Sequence, residues 1–207
     1  MGYLSSGLCP HTIMSTKKIY ILVGHPDKHP TLNSALADAY EKGAREAGHE
    51  VRRTHIADLS FDPVLHHGYR EVQELELDLK KAQEDMRWAD HYFLVYPNWW
   101  AGLPALLKGF FDRVWLPGFA FHFNDKYPFL WKKLLKGKTA RVVITTDGAP
   151  LLSRILFGDN MNEIKKAILG FAGVRTSVTS IWTVKFRKES YCKRWFCIME
   201  QWGRSAY

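Results

Sequence analysis

KIYILVGHPDKHPTLNSALADAYEKGAREAG, residues 18–48, contains a strand, a loop and a helix in succession. Residues 19–23 form an uninterrupted apolar run that stops at Gly24 and Pro26. That pattern predicts a buried strand opening into a loop. From residue 33 to residue 48 the spacing is helical. Leu36, Ala39, Tyr40 and Ala44 fall on one face, Asn33 is placed to cap the start, and Gly48 is placed to stop the end.

The same alternation continues outward. Residues 51–56 predict a second strand and residues 70–87 a charged helix. Residues 91–96 (HYFLVY) predict a third strand, halted by Pro97, and residues 104–115 a helix with Pro104 in its first turn. Residues 140–146 (ARVVITT) predict a fourth strand, 160–172 a helix, 174–183 a fifth strand and 190–203 a last helix. Strands alternating with helices predict an α/β fold, with a parallel sheet covered on both faces. No internal repeat or second domain interrupts the pattern, so residues 18–207 are expected to form one domain. Residues 1–17 are expected to be a tail, with Met14 fitting the natural start. The apolar stretch of this tail is too short and too polar for a signal peptide. Gly2 with Ser6 fits a myristoylation pattern whose loosely set positions also match by chance.

Composition narrows the function classes. Hydrophobic residues make up 46% and charged residues 24%, as in ordinary globular proteins. No apolar run approaches the ~20 residues that cross a bilayer, so no stable membrane insertion is expected. The formal charge is +8. The positive residues are scattered apart from KFRKESYCKR (185–194), and no recognition module accompanies them. This run reads as a solvated face, and nucleic acid is not an expected partner. Three cysteines (Cys9, Cys192, Cys197) make no disulfide framework, which points to a reducing compartment, the cytoplasm. No metal site is expected.

In open parallel sheets ligands sit at the carboxyl ends of the strands, where the strand order switches. Three loops lie there. GHPDKHPTLN (24–33) enters a helix, whose free N–H groups and dipole make an anion site. Thr31 and Asn33 can add polar donors, and His25 and Lys28 can add charge. The competing reading is a polar loop with a helix cap. YPNWWAGLP (96–104) sets two tryptophans at a strand end. They are either a platform for a planar ring or filler of a core or interface. TTDG (145–148) offers small side chains and reachable amides at Thr145, Thr146 and Gly148, but Asp-Gly also marks ordinary turns.

GHPDKHPTLN, YPNWWAGLPALLKGFFDRVWLPGFAF (96–121) and ITTDG together resemble the flavodoxin-like NAD(P)H:quinone oxidoreductases. The resemblance runs from residue 18 to residue 202. It implies a five-stranded parallel sheet of order 2-1-3-4-5, a homodimer with two active sites at its interface, and a tightly held flavin. It also implies ping-pong hydride transfer from NADPH or NADH to a quinone-like acceptor. By the same resemblance His25, Thr31, Leu32, Asn33 and Ser34 hold the flavin diphosphate. Pro97, Asn98, Trp99, Trp100 and Ala101 line the isoalloxazine, with Trp100 on the substrate side. Thr145, Thr146, Asp147 and Gly148 meet its pyrimidine edge. Phe121 and Phe123 take the places of two aromatics that reach the partner's site. Asp112 and Arg194 fall near positions that touch the adenine of FAD, which makes FAD the expected cofactor and FMN the alternative. Phe119, Phe121 and Phe123 together are expected to form an apolar cluster that a second copy covers.

Two departures bear on the chemistry. Where larger members carry a Tyr and a His that stabilise charge on the reduced ring, this chain has APLLSRILFG (149–158). Arg154 is the only permanently charged residue between Gly148 and Gly158, and it is the candidate for that stabilising role. The chain also ends soon after the last helix, which leaves the acceptor pocket more open. Two other functions share this fold: an electron carrier, which is usually acidic, and a regulatory flavin-binding subunit of an ion-efflux system.

Overall fold

The computed structural model describes residues 15–124, 126–127, 129–148, 155, 158, 161–182 and 188–206. The strands are β1 (Lys18–Val23), β2 (Glu50–His55), β3 (His91–Pro97), β4 (Phe121–Phe123), β5 (Trp131–Lys133), β6 (Thr139–Thr146) and β7 (Arg175–Trp182). The helices are α1 (Leu32–Glu46), α2 (Leu77–Trp88), α3 (Ala105–Val114), α4 (161–172) and α5 (Glu189–Ser205). Five strands form one parallel sheet in the order β2-β1-β3-β6-β7. Counting sheet strands alone, this is the 2-1-3-4-5 order implied by the resemblance. The direction of winding reverses between β1 and β3, which sets a ligand crevice at their carboxyl ends.

Two apolar layers cover the sheet. On one face α1 and α5 pack over Ile19, Ile21, Phe93, Val95, Val143 and Ile181. On the other, α2, α3 and α4 pack over Tyr20, Leu22, Leu94, Val142 and Ile144. The α1–α5 crossing is set by two glycines. A Cβ on Gly43 would lie 2.0 Å from the Glu200 carbonyl oxygen, and one on Gly203 would lie 2.1 Å from that of Tyr40. Only glycine lets the two backbones come this close.

The structure differs from the sequence reading at four places. The cap of α1 is Thr31, not Asn33. Thr31 Oγ1 accepts from the Ser34 N–H at 3.1 Å, while Ser34 Oγ accepts from the Thr31 N–H at 2.9 Å. This reciprocal box starts the helix one residue early and buries Asn33 in its first turn. Helix α2 begins at Leu77 rather than residue 70, because the buried Arg113 guanidinium ties residues 74–76 outside the helix. It donates to the carbonyl oxygens of Glu74 (2.9 Å) and Asp62 and to the Glu76 carboxylate (2.9 Å). The stretch between α3 and β6 folds as an antiparallel hairpin, β4–β5, which has no counterpart in the sequence reading. Within α4, Glu163–Gly170 is wound as a π-helix.

The expected exposed cluster of three phenylalanines does not form. Phe119 is 4% exposed and stands edge-on to Trp115, and Phe121 is 5% exposed and packs on Phe171. Both belong to the chain's own core, and Phe123 alone faces outward, 45% exposed.

Candidate active site

The three loops converge at the switch in strand order. His25, Thr31, Leu32 and Asn33 from the β1 side, Pro97, Asn98 and Trp99 after β3, and Thr145, Thr146 and Asp147 after β6 line one open cleft of about 250 Å³. A hydrogen bond from the Asn98 N–H to the Thr145 carbonyl oxygen (2.8 Å) ties the second loop to the third. The cleft lies just below the ~300–1,000 Å³ of sites that enclose a small molecule, so one chain offers a wall more than a pocket.

Its floor is polar and incompletely paired. Asn33 is 3% exposed. Its Oδ1 accepts from the Thr145 hydroxyl at 3.1 Å, while its Nδ2 is buried with no partner among the described residues. A buried amide donor left unpaired costs about 1–3 kcal/mol. A ligand acceptor in the cleft removes that cost. Beside it, the capping box spends the N–H groups of Thr31 and Ser34 inside the helix start. The N–H groups of Leu32 and Asn33 in that first turn have no intrahelical acceptor, so they are the donors an anion meets. Ser34, expected to hold the anion, instead gives its hydroxyl to the Thr31 carbonyl oxygen at 2.8 Å.

His25 Nδ1 accepts from the Asp27 N–H at 3.1 Å, so the neutral ring carries its proton on Nε2. Burial lowers the His25 pKa, opposed by the nearby Asp27 carboxylate. His25 therefore brings a neutral donor, standing edge-on to Trp99 with ring centroids 5.7 Å apart, rather than the charge expected of it. Lys28 does not line the cleft. It lines a neighbouring groove with His29, Ser34, Asp38, Arg53 and His55.

The tryptophan loop is a two-residue reversal. Trp99 and Gly102 exchange backbone hydrogen bonds at 3.2 and 3.0 Å, with Trp100 at φ 54° and Ala101 at φ 62° between them. Turns with two left-handed residues favour Asn-Gly, and each non-glycine residue there costs about 1–2 kcal/mol. The return on that strain is position. Trp99 borders the cleft and Trp100 stands fully exposed at the tip, so neither is core filler. Glu163, which the sequence reading missed, adds a carboxylate at this rim. Its Oε2 lies 3.6 Å from where a Cβ on Gly102 would sit. An acid in the first turn of a helix reads in sequence as ordinary dipole compensation.

Other expected residues fall elsewhere. Gly148 closes the third loop, its N–H 3.3 Å from Thr146 Oγ1. Asp112 on α3 is ion-paired to Lys108 at 2.7 Å. Arg194 is exposed on α5, which covers the opposite face of the sheet from α3. Arg154 lies outside the described residues.

A family model described as the flavodoxin-like fold matches residues 17–184. The Escherichia coli uncharacterized NAD(P)H oxidoreductase YcaK is 31% identical over 140 residues, covering 60% of this chain and 67% of that protein. The rat NAD(P)H dehydrogenase [quinone] 1 is 27% identical over 190 residues, covering 77% and 66%. The alignments span from about a third to two thirds of the length of such curated relatives, 34% at the low end and 67% at the high end. The NAD(P)H:quinone oxidoreductase of Methanothermobacter marburgensis superposes with a TM-score of 0.75 over 93% of this chain and all of that one. At 21% identity it speaks to the fold alone.

Proposed function

The chain belongs to the family with the flavodoxin-like fold, and on that premise we propose that it is a flavin-dependent NAD(P)H:quinone oxidoreductase. Such an enzyme would oxidise NADPH or NADH and reduce a quinone-like acceptor in two half-reactions that share one site. The names of the relatives support the reaction class. The observation that carries the flavin is the buried Asn33 Nδ2, without a partner among the described residues, on the floor of a cleft that three loops build.

When bound, a flavin supplies reversible two-electron chemistry that the twenty side chains lack. The protein's part is to bind, orient and exclude water. The N–H groups of Leu32 and Asn33 and the Nε2–H of His25 hold the diphosphate, with Thr31 and Ser34 fixing the helix start that aims them. Pro97, Asn98, Trp99, Trp100 and Ala101 form the wall along the ring. The Asn33 amide, Thr145, Thr146, Asp147 and Gly148 meet its polar edge. Trp100 screens the substrate side from water.

We assign FAD, with FMN as the alternative, in a homodimer. The cleft is open on one side, and Phe123 and Trp100 are exposed. A second copy across that opening would enclose the ring, and Asp112 and Arg194 are the candidates for contact with the adenine half. Among the described residues no helix is long and apolar enough to cross a membrane.

The absorption spectrum of the purified protein, before and after NADPH and then after a quinone, tests the reading. Flavin bands that bleach with NADPH and return with quinone are expected. A colourless protein that takes up neither FAD nor FMN overturns it. Acid release and chromatography of the cofactor separate FAD from FMN, and light scattering reads the dimer.

A further inference from the structure

A second cavity of about 210 Å³ opens at the amino-terminal edge of the sheet, the end away from the cleft. Three of its lining residues are register partners. His91 opens β3, Thr139 opens β6 and Arg175 opens β7, paired in line across the three strands. Partners in a parallel sheet present their side chains on the same face, and adjacent strands lie ~4.8 Å apart. The row therefore sets an imidazole, a hydroxyl and a guanidinium side by side. Ser177, two residues along β7, points the same way and also lines the cavity. This is the face covered by α1 and α5.

His91 is 1% exposed. Its Nδ1 lies 2.7 Å from Thr139 Oγ1, and its Nε2 is buried with no partner among the described residues. The Thr139 hydroxyl can donate to Nδ1, which leaves the proton of the neutral ring on Nε2. A buried N–H then lacks an acceptor, the costly arrangement that a ligand relieves. The surroundings are electropositive. Burial, then Lys17, Arg141 and His49, oppose a proton on the ring. Asp90 next to His91 is engaged elsewhere, its Oδ2 accepting the Lys18 N–H at 3.0 Å.

We propose that the His91–Thr139–Arg175 row is a binding site for a small oxyanion, a phosphate or a carboxylate, separate from the cleft. Arg175 gives the charged, forked contact at the rim. The His91 Nε2–H and the Ser177 hydroxyl give neutral donors beneath it. A neutral imidazole suits this role, because it donates without the large desolvation cost of burying a second charge. The site does not depend on the flavin reading, since none of its residues touches the cleft.

The test is a titration of the intact protein followed by NMR of the histidine rings. Inorganic phosphate and acetate are the two probes, and sodium chloride is the ionic-strength control. A saturable movement of the His91 signal with either oxyanion is expected, and which probe acts tells phosphate from carboxylate. Arg175→Gln, a change at an exposed edge position, is expected to weaken the response about tenfold. A His91 signal that follows sodium chloride equally overturns the proposal, as does movement confined to His25 and His29. An unchanged titration in Arg175→Gln overturns it too.

Discussion

The Asn33 side-chain amide and the Thr145 hydroxyl meet at 3.1 Å, joining the first turn of α1 to the end of β6 across the floor of the cleft. The pair spends one end of the amide and leaves Nδ2 buried without a partner among the described residues. Two loops 112 residues apart in sequence are thereby locked into a surface that is polar, rigid and short of one acceptor.

Asn33→Ala separates stability from binding. The protein without flavin loses one hydrogen bond, about 1 kcal/mol. It also loses the unpaired donor, so the melting temperature should move little. Flavin affinity should fall about tenfold, ~1.4 kcal/mol. Thermal unfolding of the flavin-free protein, compared with a fluorescence titration of flavin, checks this. Equal flavin affinity in the two proteins removes Asn33 from the site.

Trp100→Gly should act in opposite directions on folding and on turnover. Glycine takes φ 54° freely where tryptophan does not. The exposed indole contributes no core packing, so thermal stability should hold or rise. An aromatic wall is worth about 0.5–1.5 kcal/mol beyond its buried area. A tenfold rate change is about 1.4 kcal/mol, so kcat/KM should fall several-fold to tenfold. Unchanged kcat/KM for both nicotinamide and quinone places Trp100 outside the reaction.

Gly203→Ala tests the helix crossing. The added Cβ meets the Tyr40 carbonyl oxygen at 2.1 Å. Backbone cannot rotate away as a side chain can, so α5 must lift from α1. The cost should reach about 3 kcal/mol, the upper end for overpacking. Denaturant unfolding reads it, and a loss under about 1 kcal/mol, the lower end of that range, contradicts so close an approach of the two helices.

Acid should destabilise the protein through His91. Its pKa is lowered to about 3 in the fold by burial and neighbouring cations, against 6.5 in an open chain. As pH falls below 6.5 the unfolded chain takes up a proton that the fold refuses. Stability therefore drops between these two values and is fully present above the higher one. The slope contributed by this group approaches ~1.4 kcal/mol per pH unit. Unfolding free energy measured against pH should be flatter in His91→Gln over that interval. The same slope in both proteins shows that other groups carry the acid sensitivity.

Local sequence determined the five strands of the sheet, the helices between them and their order, but not the β4–β5 hairpin. The run at residues 19–23 reads as a buried strand, and the apolar cores of β3 and β6 read the same way, because a strand covered on both faces is apolar over most of its length. Alternation with helices then implied a parallel sheet, and the ends of its strands pointed to the three loops that line the cleft. What sequence could not supply was every relationship that depends on a distant residue. Arg113 ties residues 74–76 outside the helix against helical composition. The Thr31 hydroxyl outcompetes Asn33 for the cap because it receives the Ser34 N–H. Phe119 and Phe121 are core while Phe123 is surface, because Trp115 and Phe171 stand against the first two. The unpaired Nδ2 of Asn33 and the His91–Thr139–Arg175 row exist only once the strands are in register. Backbone propensity and hydrophobic periodicity are local and survive in one dimension. Pairing of polar atoms is decided by which partners the packed layers bring within ~3 Å, and that is a property of the tertiary structure alone.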